Sequence, residues 1–344
     1  MRIFYRQFKN MDVPQLCKVW NQSGYAGTWG RTFDFLSFDL FVTDNFYFDR
    51  RDLIVAVDAD GDRGKMFGSD GEIIGFIHGG YGPNADRITP NREEGRIAMM
   101  AVKEGPWEDE VRERLLLEME KHFAKMGIQR VYFGTVYPYA PFYAGLLYGC
   151  ELNGIPENDP KLSTFLPQKG YISVERFHRM RPPVGTEAPR ISFKQQMLAK
   201  TVTFMKLERG KTFPNWRRTP DWWEIYSLKN MELSYYALVH RTTKELVARV
   251  GLRTLARDAG ETLHGLHHLF VTEEYRRKGY ARLLLTCLQR EVWTLNGKSQ
   301  VELLVPEKNV NMIELFEHMH FSTVSTGNVY RRDLPDDFLE KVPD

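Results

Sequence analysis

A basic turn at residues 276–281 has the composition of a phosphate-binding site. It reads Arg-Arg-Lys-Gly-Tyr-Ala and connects an apolar strand predicted at residues 266–271 to an amphipathic helix predicted from Ala281. The first N–H groups of a helix have no intrahelical partner and carry partial positive charge, so they attract anions. Gly279 can adopt backbone angles that other residues avoid, and the small Ala281 leaves room beside the backbone. The turn predicts pyrophosphate binding, although similar basic turns also occur as solvated connections.

The turn and its surroundings resemble the GNAT N-acetyltransferase superfamily. The acetyl-CoA loop of that family reads Gln/Arg-x-x-Gly-x-Gly/Ala, and this chain matches it with Arg276, Arg277, Lys278, Gly279, Tyr280 and Ala281. Further along, Asn309 falls on the family's Asn, and Leu315-Phe316 falls on its Leu-Tyr. The resemblance is specific over about residues 235–332, and it implies that these loop residues, Asn309 and Phe316 bind acetyl-CoA.

The resemblance also implies direct attack of an amine on the thioester. The strand end Leu269, Phe270 and Val271 is then expected to pair with the pantetheine chain and to offer a backbone N–H to the thioester carbonyl. The family often has a carboxylate base four residues before that Val, where this chain has His267. A neutral imidazole can accept a proton near pH 7.

The His267-His268 pair therefore supplies the candidate catalytic bases. Strand alternation predicts that the two side chains point to opposite faces, so we expect one to meet the substrate, with His267 preferred by position. The alternative is that both are structural. The same alternation separates His267 from His264 and His268, so we expect no metal site here.

Phe316 departs from the family because it stands where the family's general-acid Tyr is found. Three explanations remain open: the thiolate leaves unassisted, Tyr280 or Tyr330 donates the proton, or the chain binds acyl-CoA without catalysis. His320 also replaces the Gly that precedes the family's final Phe. In the first half, Phe142-Tyr143 is expected at the place comparable to Phe316, as buried packing.

A strand–helix–Gly–strand pattern occurs twice at an offset of about 170 residues. The first copy is predicted as a strand at 97–102, a helix at 109–126 and a strand at 128–133, and the second as 266–271, 281–295 and 301–305. A candidate hairpin precedes each copy, at 53–58 with 72–78 and at 235–240 with 245–252. We expect an α/β (α+β) protein with two tandem GNAT-like domains, each a mixed, mostly antiparallel sheet flanked by helices.

The Pro-rich segment around residues 181–190 predicts the domain boundary. The predicted domains are 1–182, a degenerate copy that serves as scaffold or acceptor-pocket wall, a linker at 183–189, and a catalytic domain at 190–344. The first copy is degenerate because its turn carries Glu104, Glu108, Asp109 and Glu110, which would repel a pyrophosphate and instead suit a helix N-terminus.

Two aromatic-rich segments, 24–48 and 213–226, are candidates to form the wall of the acceptor pocket. Within them Asp34, Asp39 and Asp221 could attract a cationic amine, or could be exposed charges. The acidic segment 58–64 has calcium-loop spacing, but Arg63 replaces the required Gly, so a hairpin turn is expected.

Composition limits the remaining choices. The 344 residues carry a formal net charge of +2, and no apolar stretch approaches the roughly 20 residues of a membrane span. We therefore expect no nucleic-acid or membrane partner. The three cysteines lack metal-type spacing, and the charged N-terminus lacks a secretory pattern, so a cytoplasmic location is expected. A homodimer is compatible with the sequence.

The resulting prediction is an N-acetyltransferase that uses acetyl-CoA as co-substrate, without a metal, to modify a primary amine of a small molecule. One alternative is a non-catalytic acyl-CoA-binding regulator. The other is an aminoacyl-tRNA-dependent peptidyl ligase, which also uses twin domains of this kind.

Overall fold

The chain folds into two compact units. The structure, a computed structural model, describes residues 1–26, 29–45, 47–60, 70–84, 89–134, 142–143, 154–183, 189–208, 213–215, 233–258, 261–296 and 299–342. The first unit comprises Met1–Tyr148, Leu152–Arg176 and Gly327–Asp344, and the second comprises Gly149–Glu151 and Phe177–Thr326.

The first half of the chain supplies ten strands and four α-helices among the described residues. The strands are β1 Ile3–Gln7, β2 Leu53–Asp58, β3 Glu72–His78, β4 Gly82–Pro83, β5 Pro90–Asn91, β6 Glu94–Ile97, β7 Met99–Val102, β8 Arg130–Phe133, β9 Ile155–Pro156 and β10 Ile172–Arg181. The helices are α1 Val13–Gln22, α2 Phe35–Phe38, α3 Glu108–Lys125 and α4 Leu162–Gln168, with shorter helical turns at Asn10–Asp12, Asp39–Thr43 and Arg50–Asp52.

The second half repeats the layout. In chain order it contains α5 Phe193–Ala199, β11 Val202–Leu207, β12 Leu233–His240, β13 Leu246–Asp258, β14 Glu261–Val271, the short turn Glu273–Tyr275, α6 Tyr280–Asn296, β15 Ser299–Pro306, α7 Val310–Glu317, β16 Ser322–Asp333 and α8 Phe338–Lys341. Strands β11 to β14 pair antiparallel in sequence order, and β14 pairs parallel with β15.

Both units combine mostly antiparallel strands with a parallel pair, flanked by helices, as predicted. In the first unit β1, β2, β3 and β7 form an antiparallel sheet, and the parallel pair of β6 and β8 belongs to a different sheet. The predicted helices at 109–126 and 281–295 are confirmed as α3 and α6, since each has the apolar spacing of a helix with one buried face. The predicted C-cap Gly127 has a positive φ of 78°, as a helix end of this type requires.

The compact units do not follow the predicted boundaries at two places. The end of β10, from Phe177, belongs to the second unit, where it pairs with β15. The end of β16, from Gly327, belongs to the first unit, where it pairs with β8 and β9. The boundaries 1–182 and 190–344 therefore remain a prediction about the two copies along the chain, and they are not the limits of the compact units.

The core of the second unit lies between the sheet and α6. Buried apolar side chains of β13, β14 and β15 meet the helix stripe of Leu283, Leu284, Leu285, Leu288 and Val292. This packing fixes α6 against the end of β14 and so positions the turn between them. Among the described residues, no helix combines the length and the hydropathy that crossing a bilayer would require.

Candidate active site

The second unit contains a split between two parallel strands. β14 and β15 pair only over Thr262–Gly265 and Ser299–Glu302. Beyond this point β14 continues beside β13, while β15 continues beside β10. The second half of β14 and the second half of β15 therefore diverge, and a gap opens between them at the end of the strands.

A β-bulge lies in β14 at the start of the gap. Gly251 of β13 pairs with His267 and Arg249 pairs with Phe270, so three steps along β14 oppose two along β13. The extra residue is accommodated by His268, whose φ of 53° is in the left-handed region that a non-glycine residue rarely adopts. Such strained backbone concentrates at functional sites, where surrounding packing maintains it.

The predicted phosphate turn follows the bulged strand after the short helical turn Glu273–Tyr275. Arg277 and Gly279 both have positive φ, at 61° and 95°, and α6 begins at Tyr280. The first helical bond runs from the N–H of Leu283 to the carbonyl of Gly279. The N–H groups that precede it at the start of this 17-residue helix have no intrahelical acceptor, and Gly279, Tyr280 and Ala281 line a cleft.

A cleft of about 940 Å³ occupies the split and the mouth of the turn. Most of the residues predicted to contact acetyl-CoA line it: Leu269, Phe270, Val271, Arg276, Arg277, Gly279, Tyr280, Ala281 and Asn309. Two predicted contacts do not line it. Lys278 is exposed with its ammonium 5.9 Å from the Tyr275 ring, and Phe316 is fully buried.

Helix α5 forms another side of the cleft, which sequence analysis did not anticipate. Ser192, Lys194, Gln195 and Leu198 line the cleft. The Gln195 amide donates to the hydroxyl of Thr286 on α6 at 2.8 Å, so α5 is held against the helix that starts at the phosphate turn. Ser192 and Gln195 form a reciprocal capping box at the start of α5. That Ser-x-x-Gln pattern was the available signal for the helix, but nothing in it indicated the cleft.

The two histidines lie side by side, so the prediction that they point to opposite faces is wrong. The ring centroids of His267 and His268 are 4.8 Å apart. Tyr235 contacts both, with its ring 5.8 Å from the His267 ring and its hydroxyl 3.4 Å from Nδ1 of His268. The bulge causes this arrangement, because an extra residue breaks the two-residue alternation on which the prediction depended.

Phe316 packs in the core instead of facing the cleft. Its ring is 4.9 Å from that of Phe321, and both rings belong to the core under α6. His320, which stands where the family has Gly, has a positive φ of 64°, so the chain keeps the backbone conformation that the family's Gly would adopt. Among the described residues that line the cleft, Ser192, Tyr275 and Tyr280 carry hydroxyl groups.

Tyr275 and Tyr280 are held at the cleft by neighbouring side chains. The Tyr275 hydroxyl donates to the Glu245 carboxylate at 2.9 Å, and burial together with this bond raises the pKa of Tyr275. The Tyr280 hydroxyl is 3.3 Å from that of Thr201. By contrast, Tyr330 belongs to the first unit, where it pairs with Phe133 of β8, and burial raises its pKa.

The first unit has the same layout without a basic turn. Its helix α3 starts with Glu108, Asp109 and Glu110, and Arg112 bonds to both Glu108 and Asp109. These acids complement the helix dipole, as predicted. The helix before the last strand of this copy is α4, so the place comparable to Phe316 is in α4, and the prediction of Phe142-Tyr143 is wrong. Both residues are nevertheless buried, as expected.

The predicted acceptor-side residues have structural roles where they are described. Asp34 accepts a hydrogen bond from the N–H of Ser37 at 2.7 Å and so caps α2, and Asp39 is exposed. The aromatic rings near them pack inside the first unit, where Trp20 and Phe33 stack at 4.5 Å. Asp221 lies outside the described residues, as do Arg63 and most of segment 213–226. Within the described residues, no group of three or more His, Cys, Asp or Glu side chains is placed to hold a metal ion.

Comparison with known families agrees with this geometry. Residues 202–321 match the profile of the Acetyltransferase (GNAT) family, so this part of the chain is a GNAT domain. The L-ornithine N5-acetyltransferase NATA1 of Arabidopsis thaliana is 41% identical over 54 residues, which are 16% of this chain and 23% of that protein. The alignment thus spans less than a quarter of that relative.

Solved structures extend the similarity to both units. A tandem GNAT protein from the clavulanic acid biosynthesis pathway aligns with a TM-score of 0.65 and 13% identity over 96% of this chain and 98% of its own. A glucosamine N-acetyltransferase region of a fungal multi-domain GH3 β-N-acetylglucosaminidase aligns with a TM-score of 0.67 and 15% identity over 96% of this chain, which spans 38% of that protein. The chain has the fold of a tandem GNAT protein.

Proposed function

We propose that the chain is an N-acetyltransferase that transfers the acetyl group of acetyl-CoA to a primary amine of a small molecule by direct attack. The observation that carries this proposal is the cleft at the split between β14 and β15, because it combines the end of β14, where this strand has separated from β15, with the N-terminus of α6. An extended thioester with a pyrophosphate requires a split strand pair for its arm and an adjacent helix N-terminus for its anionic group.

The cleft residues fit acetyl-CoA by their chemistry. Arg276, Arg277 and the N–H groups at the start of α6 would hold the pyrophosphate. Apolar side chains at Leu269 and Val271 would contact the pantetheine arm, and the amide groups of β14 beyond the bulge would pair with its amides. Acetyl-CoA would supply the activated acyl carbon, and the remaining chemistry belongs to the chain.

His267 is proposed as the base that takes the proton of the attacking amine. It lies two residues before Leu269, which lines the cleft, and it is only 4% exposed. As the amine nitrogen bonds to the acyl carbon, a backbone N–H near the bulge would stabilise the developing oxyanion. The C–S bond then breaks and the sulfur leaves as thiolate, with the hydroxyl of Tyr280 as the candidate to protonate it. His268, whose ring contacts that of His267, is the second candidate for the base.

The proposal is tested by following thiol release and thermal stabilisation together with acetyl-CoA and a panel of amines. Stabilisation with turnover supports an acetyltransferase. Stabilisation without turnover on any amine would instead support the acyl-CoA-binding regulator, for which the loss of the family's Tyr at Phe316 is the motivating feature. Absence of stabilisation would refute the assignment of the cleft.

Two variants separate binding from catalysis. Ala281→Trp should abolish stabilisation by acetyl-CoA because the indole would fill the mouth of the turn. Ala124→Trp, at a similarly half-buried position on α3, is the matched control and should leave stabilisation intact. His267→Ala should lower turnover and leave acetyl-CoA binding unchanged. Wild-type turnover by His267→Ala over the full pH range would show that this residue is structural.

A further inference from the structure

A second cavity, of about 340 Å³, lies at the edge strand β11 of the second unit. It is formed by β11, the end of β12, the turn that follows β12 and residues 213–214. Among the described residues, none lines both this cavity and the cleft proposed to hold acetyl-CoA. Small-molecule sites typically enclose about 300–1,000 Å³. The cavity is therefore large enough for a ligand of its own.

One side of the cavity is apolar. Met205 of β11 and Val239 of β12 line it, and both belong to a cluster of apolar side chains that includes Phe213. The position of Phe213 is fixed by Asn215, whose side-chain amide exchanges two hydrogen bonds with the backbone of Leu246, at 2.9 and 3.0 Å. These contacts maintain an apolar wall that a hydrocarbon or aromatic group can cover.

The other side of the cavity carries positive charge. Arg241 and Lys244 line it, and neither has a carboxylate partner within the described part of the chain. Nε of Arg241 donates to the carbonyl of Val202 at 2.9 Å, which holds the guanidinium in place and leaves its two terminal nitrogens as donors. Glu245, the carboxylate of the same turn, accepts a hydrogen bond from Tyr275 and does not line the cavity.

His240 supplies a further donor beside the two cations. The backbone N–H of Thr243 donates to Nδ1 of His240 at 3.2 Å, and this bond assigns the proton of the ring to Nε2. Lys244 has a φ of 61°, in the left-handed region that favours glycine or asparagine. The turn therefore keeps a lysine at the cavity in spite of the backbone strain that this residue incurs.

We propose that this cavity is a second ligand site, which binds a small amphipathic carboxylate with a short hydrocarbon or aromatic tail. The terminal nitrogens of Arg241 and the ammonium of Lys244 bind the carboxylate, because a guanidinium presents two parallel N–H groups that match its two oxygens. The tail covers the apolar wall at Phe213 and Val239. The inference does not depend on the proposed acetyl transfer, since the cavity and the cleft have different lining residues.

Calorimetric titration with matched ligands tests the charge and the tail separately. Hexanoate carries both, 1-hexanol carries only the tail, and acetate carries only the acid group. We expect the dissociation constant of hexanoate to be at least about 10-fold lower than those of 1-hexanol and acetate, since each of these lacks one of the two contacts. Equal binding of hexanoate and 1-hexanol, or no binding of hexanoate, would refute the proposal.

Charge variants identify the groups that bind the carboxylate. Lys244→Asn removes one cation and introduces a residue that accepts the left-handed backbone, so the protein should remain folded. We expect it to raise the dissociation constant of hexanoate roughly 3- to 10-fold, and Arg241→Met should have at least the same effect. Lys200→Asn removes an exposed cation that does not line the cavity, and it should leave this constant unchanged. Wild-type binding by both Lys244→Asn and Arg241→Met would show that the charged side has been assigned wrongly.

Two bulky variants locate the ligand. Thr203 is exposed on β11 and lines the cavity, so Thr203→Trp should fill it and abolish hexanoate binding. Lys206→Trp, at an exposed position of the same strand outside the cavity, is the matched control and should bind hexanoate normally. Ala281→Trp, which blocks the phosphate turn, should also bind hexanoate normally. Loss of hexanoate binding in Ala281→Trp, or its persistence in a folded Thr203→Trp protein, would place the ligand elsewhere and overturn this inference without affecting the proposed acetyl transfer.

Discussion

Replacing Gly251 by alanine tests whether the position of His267 determines catalysis. A Cβ atom at Gly251 would lie 2.6 Å from Nε2 of His267, 2.8 Å from Cδ2 and 3.0 Å from Cε1. Ordinary contact begins near 3.4 Å, so the imidazole must move by about 0.8 Å. Because three ring atoms are all too close, a small rotation cannot relieve the contact, and the ring must shift as a whole.

A shift of this size should lower kcat strongly. Misplacing a catalytic group by about 1 Å can cost on the order of 100-fold in rate, so we expect kcat of Gly251→Ala to fall between about 10- and 100-fold. The dissociation constant for acetyl-CoA should not change, because Gly251 is not among the residues that line the cleft. Overpacking in a central strand should also lower the free energy of unfolding by about 1–3 kcal/mol.

The assay measures kcat at saturation and the dissociation constant for acetyl-CoA by calorimetry. Gly279→Ala is the matched control, since its φ of 95° and a contact of 3.3 Å with Leu198 should disturb the phosphate turn. We expect Gly279→Ala to weaken acetyl-CoA binding, whereas Gly251→Ala should lower kcat and leave this binding unchanged. In a double-mutant cycle, Gly251→Ala should add little to His267→Ala, because both act on one group. A folded Gly251→Ala protein with wild-type kcat would refute the role of His267.

Three further changes test other parts of the structure. Lys194→Gln should raise the dissociation constant for acetyl-CoA by roughly 2- to 5-fold at low salt, since an exposed cation contributes modestly to binding. Lys200 does not line the cleft, so Lys200→Gln should leave this constant unchanged. Equal effects of the two substitutions would exclude α5 from acetyl-CoA binding. Phe316→Tyr should lower the free energy of unfolding by about 1–3 kcal/mol by burying a hydroxyl, without raising kcat; a faster enzyme would show that this position can supply the missing acid. Burial lowers the pKa of His78 from 6.5 to about 3, so the folded state resists protonation of this side chain. The contribution of neutral His78 to the free energy of unfolding is therefore complete above pH 6.5, and it is lost as the pH decreases toward 3. Urea unfolding at pH 6.5 and at pH 4 gives the decrease in the free energy of unfolding for the wild type and for His78→Gln. This decrease should be about 3 kcal/mol larger in the wild type. Equal decreases in the two proteins would contradict a buried neutral His78.

Much of the fold could be predicted because its signals are local. The hairpin at 53–58 and 72–78 has the predicted bounds, and α3 and α6 differ from prediction by one residue at each end. Apolar spacing determines these elements directly, since a buried helix face and a buried strand face have different periods. The phosphate turn was also visible, because its glycine and its basic residues are adjacent in sequence.

The site could be predicted only in part, because its remaining features depend on contacts between distant residues. Lys194 lines the same cleft as Arg276, but they are far apart in sequence and meet only because α5 packs on α6. The orientation of His268 depends on one extra residue in β14, and no local pattern marks a bulge within an apolar strand. The same holds for Phe316, whose burial follows from packing against Phe321.

The sequence by itself determined that two similar α/β copies follow one another and that the second carries a basic, glycine-containing turn at the start of a helix. These features need only periodicity, helix-terminus chemistry and the freedom of Gly279. Tertiary structure decided which strand ends belong to which unit, where β14 separates from β15, and that His267 and His268 lie side by side. The physical reason is that strand pairing and register are set by non-local hydrogen bonds and packing, which a linear pattern does not specify.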